Sequence, residues 1–102
     1  MSEETAPRRP PHVVLYTRPG CHLCEEAERR ITAARCRDLY TYEKVNIDQD
    51  PDLTRRYGWE IPVITINGTV AFKYELTAEE FEQAVKAERE RGRGEKEERL
   101  KG

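Results

Sequence analysis

The chain has 102 residues, 36% hydrophobic and 37% charged, with a formal net charge of −2. That length and core content suit one small domain. The signs are mixed along the sequence, so no basic field points to nucleic acid. No apolar run approaches the ~18 residues of a membrane span. Residues 1–11 lack the apolar stretch of a secretory signal, so the expected location is cytoplasmic. Three cysteines, an odd number, argue against a disulfide framework.

The polar excess is concentrated at the ends. Residues 1–11 carry three prolines, and residues 88–102 are almost entirely charge and glycine. Neither stretch offers enough apolar surface to offset chain entropy. The expected organisation is a flexible tail at 1–11, a domain at 12–90 and a charged tail at 91–102.

Between the tails the elements alternate. His12-Val13-Val14-Leu15-Tyr16 is a continuous apolar run, expected as a strand buried on both faces. Arg18-Pro19-Gly20 breaks it. From about His22 to Arg35, Cys24, Ala27, Ile31 and Ala34 form one helical stripe. A strand is expected over Tyr42–Asp48, where Val45 and Ile47 alternate with polar neighbours. Strand, helix and strand make a right-handed unit with parallel strands. Asp50-Pro51 signals a helix start and Gly58 its stop. Two apolar runs, Pro62–Ile66 and Thr69–Phe72, flank Asn67-Gly68, a strong hairpin signal. Thr77-Ala78-Glu79-Glu80 is a capping box that opens a last helix carrying Phe81, Ala84 and Val85. The order β-α-β-α-β-β-α predicts an α/β fold, a four-stranded mixed sheet flanked by helices.

The chemistry resides in Cys21-His22-Leu23-Cys24. Cys21 falls where a strand and turn give way to a helix. The unpaired N–H groups of a helix start favour a thiolate, the nucleophilic form of cysteine. Cys24 lies one turn along the same face and begins the apolar stripe, so it is expected as the buried resolving thiol. A structural zinc site needs four ligands, often as two pairs, and no second pair exists. Cys36 is twelve residues past Cys24, roughly 18 Å along a straight helix. Two buried cysteines acting as small apolar residues is the other reading, but it leaves Cys21 in a Pro-Gly loop unexplained. His22 either stabilises the Cys21 thiolate or is an exposed residue without a role. Cys36 reads as a structural thiol at the helix end. Cys24 to Arg30 also has the spacing of a phosphatase loop, but these residues read as helix.

The segment from Val13 to Cys24, with Thr17-Arg18-Pro19-Gly20 before the first cysteine, resembles the active-site strand and loop of glutaredoxins within the thioredoxin superfamily. Ile61-Pro62-Val63 resembles their cis-proline loop. The resemblance covers about residues 12–88 and implies a thioredoxin fold. It implies Cys21 as nucleophile and Cys24 as resolving cysteine. It further implies a cis Pro62 facing the pair, and Ile61 as the residue whose backbone meets the substrate. Arg18 matches a basic position that contacts a glutathione carboxylate in glutaredoxins. The sequence departs from that pattern in two places. Phe72-Lys73-Tyr74-Glu75-Leu76-Thr77 replaces a Gly-Gly turn and an Asp that hold glutathione, and the inner dipeptide is His-Leu. Arg55 and Arg56 read as solvated helix charges. Trp59, just before Ile61-Pro62, either lines the substrate groove or plugs the edge of the core, and the core edge is the favoured reading.

The expected activity is thiol–disulfide exchange by a dithiol mechanism on protein or low-molecular-weight disulfides. No bound cofactor or metal is expected. Glutathione or another low-molecular-weight thiol is the expected co-substrate, or a disulfide reductase the electron source, and the protein is expected as a monomer. Two alternatives stand beside it. One is an iron–sulfur cluster module, against which the intact Cys24 argues. The other is a redox-inert adaptor, in which serine at Cys21 leaves the biological role intact.

Overall fold

The computed structural model describes the backbone of residues 10–101 and the side chains of residues 10–91. In chain order the elements are β1 (His12–Thr17), α1 (His22–Ala33), β2 (Thr41–Asn46), α2 (Pro51–Tyr57), β3 (Val63–Ile66), β4 (Thr69–Lys73) and α3 (Ala78–Lys101). The sheet order is β2-β1-β3-β4. β1 pairs parallel with β2 and antiparallel with β3, and β3 pairs antiparallel with β4. This is the mixed sheet that the order of sequence signals predicts.

β1 is central because it is apolar on both faces. Val13 and Leu15 point into the main core with Ile64 and Ile66 of β3. There they meet Ala27 and Ile31 of α1, and Phe81 and Val85 of α3. Successive strand residues face opposite sides, so Val14 and Tyr16 face the other layer. Tyr16 stacks on Tyr57 of α2 at a centroid distance of 4.7 Å. Helices α1 and α3 therefore cover one face and α2 the other.

Local chemistry fixes the boundaries. Asp50 caps α2 by accepting the N–H groups of Asp52 and Leu53 at 2.9 and 3.4 Å, with Pro51 at the first helical position. Thr77 and Glu80 form the reciprocal capping box at 3.0 and 3.1 Å. Asn67 and Gly68 both take positive φ, 53° and 85°, as the two-residue hairpin turn requires.

Two expectations need correction. The second strand stops at Asn46, and Ile47 is buried in a 3-10 turn rather than on the sheet. β2 is the exposed edge, with Thr41 to Lys44 facing solvent, so its alternation reflects only a partly covered face. Gly58 ends α2 with φ −55° and ψ −30°, not in the left-handed conformation of a glycine stop. Space constrains it instead, since a Cβ there would sit 2.5 Å from the Thr54 carbonyl oxygen. The expected tail at 1–11 falls almost wholly outside the described residues. The expected tail at 91–102 coincides with the end of α3, whose backbone is helical to Lys101.

Candidate functional site

β1 delivers the chain to the site. Arg18-Pro19-Gly20 turns it, with Gly20 at φ 81°, a conformation that favours glycine. The Cys21 N–H then donates to the Arg18 carbonyl at 3.3 Å and closes the turn. Cys21 is the N-cap of α1, and its Sγ accepts the Cys24 N–H at 3.2 Å. The sulfur thus occupies the place that a serine or aspartate oxygen takes at a helix start. Cys21 and Cys24 are joined as a disulfide, with Cα atoms 5.2 Å apart. Cys24 is 2% exposed while Cys21 is half-buried, so one sulfur of the pair belongs to an outward position and the other to the core face. His22 and Leu23, between them, are exposed.

The sheet register places the other expected residues. Tyr16 pairs with Val63, and Val63 with Lys73. The end of β1 that leads to Cys21, the start of β3 and the end of β4 therefore share one end of the sheet. Ile61-Pro62 enters β3 there through a cis peptide bond, and Pro62 is fully buried. The Pro62 carbonyl accepts the Tyr74 N–H at 2.8 Å, which ties the β4 exit to this loop. Lys73 Nζ to Glu60 at 3.0 Å makes a second tie.

Arg18 reaches across the same end. Its Nε donates to Asp48 Oδ1 at 3.0 Å, and its Nη1 to the Gly58 carbonyl at 3.4 Å. The guanidinium is thus bound to the turn after β2 and to the end of α2. Beside the disulfide, on the β2 side, lies a cavity of about 320 Å³ lined by Thr17, Arg18, Cys21, Cys24, Glu28 and Lys44 among others. Glu28 and Lys44 pair at 3.1 Å, linking α1 to β2. Arg55 is exposed and pairs with Asp52 at 2.7 Å, while Arg56 lies 5.8 Å over the Tyr57 ring. Cys36 is a free, buried cysteine whose thiol pKa is pushed up by burial and by the Glu82 carboxylate.

Two features of the site end of the sheet depart from the favoured reading of the sequence. Trp59 is 93% exposed rather than at the core edge, because the turn after α2 carries it outward before Ile61 and Pro62 return to the sheet. Tyr74 has φ 71°, a conformation bulky residues rarely adopt. Among the described residues no helix is long and apolar enough to cross a membrane, and no group of three or more histidine, cysteine, aspartate and glutamate side chains is placed to hold a metal ion.

Solved structures share this architecture. A structural-genomics target protein from X. campestris is 28% identical, covering 74% of this chain and 96% of its own, with a TM-score of 0.64. A protein of Nitrosomonas europaea, solved by NMR in solution, is 29% identical over 76% of this chain and 93% of its own, also with a TM-score of 0.64. Chloroplastic thioredoxin z is 20% identical over 84% of this chain and 88% of its own, with a TM-score of 0.64, a likeness of fold alone. The family model of the Glutaredoxin-like domain (DUF836) matches residues 12–89, the β1-to-α3 unit that carries the Cys21–Cys24 pair, and the chain belongs to that family.

Proposed function

We propose that this protein is a thiol–disulfide oxidoreductase in which Cys21 attacks and Cys24 resolves. The observation that carries the reading is the placement of Cys21 Sγ at the α1 N-cap, accepting the Cys24 N–H, with Cys24 buried behind it. A sulfur anion at that point meets oriented N–H groups and the positive end of the helix. In the reduced protein, the Cys21 thiolate attacks one sulfur of a substrate disulfide. That S–S bond breaks, and the departing thiolate takes a proton. The Cys24 thiolate then attacks the Cys21 sulfur, forms the intrachain disulfide and releases the second substrate thiol. Two electrons pass from the protein dithiol to the substrate, and an external thiol or a disulfide reductase returns them.

Ile61 and Pro62, at the same end of the sheet as Cys21, supply the backbone edge for the substrate. Ile61 lies outside the β3 ladder and has no backbone hydrogen-bond partner among the described residues, so its N–H and C=O are available for pairing. Glutathione or another small thiol serves as co-substrate in this reading.

The test is equilibration of the purified protein against graded ratios of reduced and oxidised glutathione, followed by acid trapping and mass spectrometry. A two-electron transition of Cys21 and Cys24 is expected, with Cys24→Ser accumulating one mixed disulfide on Cys21. Absence of an intrachain disulfide at every ratio would remove the dithiol mechanism.

A further inference from the structure

The cavity of about 320 Å³ beside the disulfide is lined by Cys21, Cys24 and four charged side chains, Arg18, Glu25, Glu28 and Lys44. Its size is at the small end of ligand cavities, so it suits a compact molecule. Both cations are already bound. Arg18 donates to Asp48 at 3.0 Å and to the Gly58 carbonyl at 3.4 Å. Lys44 donates to Glu28 at 3.1 Å, and Glu28 also accepts the Tyr42 hydroxyl at 3.4 Å. Glu25 differs from its helix neighbours. Glu26 and Glu28 are paired with Arg30 and Lys44, whereas the exposed Glu25 carboxylate has no cation partner among the described residues. The Glu25 N–H donates to the Cys21 carbonyl at 3.1 Å, which sets Glu25 one turn along α1 from Cys21. Residues four apart are neighbours on a helix face.

We propose, on the oxidoreductase reading above, that this cavity is a subsite for small disulfides whose arms carry an ammonium group, with Glu25 as the specificity-determining residue. With Asp48 and Glu28 matched to Arg18 and Lys44, Glu25 leaves the cavity with an excess negative charge. An incoming carboxylate has to part Arg18 from Asp48 or Lys44 from Glu28 before either cation can hold it. An incoming ammonium finds Glu25 open, and the field of a concave, charged site draws it in. The Cys21 thiolate attacks one sulfur of the aminothiol disulfide, the S–S bond breaks, and the departing thiolate takes a proton. Cys24 then displaces the second aminothiol from Cys21. The protein dithiol loses two electrons, and one disulfide becomes two aminothiols.

The experiment follows oxidation of the prereduced chain at low ionic strength by three small linear disulfides. Cystamine carries an ammonium on each arm, hydroxyethyl disulfide is neutral, and dithiodipropionate carries a carboxylate on each arm. Each second-order rate is divided by that of the same disulfide with dithiothreitol, which removes the difference in leaving-group thiol pKa. The wild-type chain is expected to place cystamine above hydroxyethyl disulfide, and dithiodipropionate below it, by about threefold at each step, the scale of a partly exposed charge pair. Glu25→Gln is expected to draw cystamine level with the neutral disulfide, and Glu25→Lys to invert the order. Both substitutions also change the field at Cys21, but that acts on the same thiolate in all three reactions and cancels in the ratio. Equal normalised rates in the wild-type chain would overturn the subsite and leave the oxidoreductase reading standing. A cystamine preference unchanged in both variants would overturn the assignment to Glu25. Failure of all three disulfides to oxidise Cys21 and Cys24 would remove the oxidoreductase reading, and the subsite with it.

Discussion

Arg18 Nε lies 3.0 Å from Asp48 Oδ1, so the cation in the turn that leads to Cys21 is paired and not a lone charge. Both side chains are partly exposed, 34% and 47%. Pairs of this kind contribute about 0.2–1 kcal/mol. Asp48→Asn removes the anion and leaves the guanidinium to act on the Cys21 thiolate. Arg18→Ala removes the cation. The reduction potential of the pair is expected to rise by about 10 mV in Asp48→Asn and to fall by a similar amount in Arg18→Ala, since ~30 mV corresponds to ~1.4 kcal/mol for two electrons. Glutathione equilibration measures both. Shifts of the same sign in the two variants would show that the pair does not act through charge.

Cys36 is buried, and both its burial and the Glu82 carboxylate push the thiol pKa up. It should therefore stay protonated and closed to alkylation at neutral pH. After reduction, native protein treated with iodoacetamide at pH 7 is expected to label at Cys21, with Cys36 slower by about a hundredfold or more, because the thiolate and its exposure set the rate. Cys36 should label readily once the chain is unfolded in guanidinium chloride. Cys36→Ala is expected to cost about 1 kcal/mol. Cys36→Ser should cost more, about 1–3 kcal/mol, if the buried hydroxyl finds no partner. Chemical denaturation of the two variants checks the order.

The sequence was most legible where one local rule decides the outcome. Asn67-Gly68, the Thr77–Glu80 box and Asp50-Pro51 each satisfy their own backbone groups, and each stands where the residues placed it. The apolar stripe from Cys24 to Ile31 identified the buried face of α1 for the same reason. Features that depend on tertiary pairing were not legible. Asp48 reads as the end of a strand, and its role as the partner of Arg18 follows from the parallel register of β1 and β2. For Trp59 the core edge is preferred over the groove because tryptophan is usually mostly buried, yet a turn between α2 and the cis-Pro62 loop carries it outward. Tyr74 at φ 71° has no sequence signal, since nothing local demands a positive φ from tyrosine.

The tyrosines give the protein a pH dependence of known sign. Tyr42 is partly exposed on the edge strand, and its phenol pKa is raised by partial desolvation, then by the Glu28 carboxylate, to which its hydroxyl donates at 3.4 Å. Tyr16 and Tyr40 are raised by burial in the same direction from the ordinary value of 10.0. A neutral acid with a raised folded pKa stabilises the fold below its unfolded pKa. The unfolded chain releases the proton first as pH rises, so this stability declines above about pH 10. Cys36, raised from 9.0, begins the decline slightly earlier. Urea unfolding of the oxidised protein is expected to show a midpoint that falls steadily from pH 9 to pH 11. Tyr42→Phe should make the fall shallower. A midpoint independent of pH over that interval would contradict the assignment.

Asn67 is more than a turn residue. Its Oδ1 accepts the His12 N–H at 2.9 Å, its own N–H donates to the His12 carbonyl at 2.8 Å, and its Nδ2 donates to Glu88 at 3.1 Å. One side chain thus ties the β3–β4 hairpin to β1 and to α3. Asn67→Gly keeps the positive φ available but removes both side-chain hydrogen bonds. Each such bond contributes about 0.5–1.5 kcal/mol, and both lie toward the lower end because both are exposed. The substitution is expected to cost about 1–2 kcal/mol, which lowers the midpoint of thermal unfolding by several degrees in a domain of this size. Asn67→Ala, which adds strain at φ 53°, should cost more. Equal losses in the two variants would mean that the side-chain bonds, and not the turn conformation, set the stability of this corner. Calorimetry of both variants separates the two contributions.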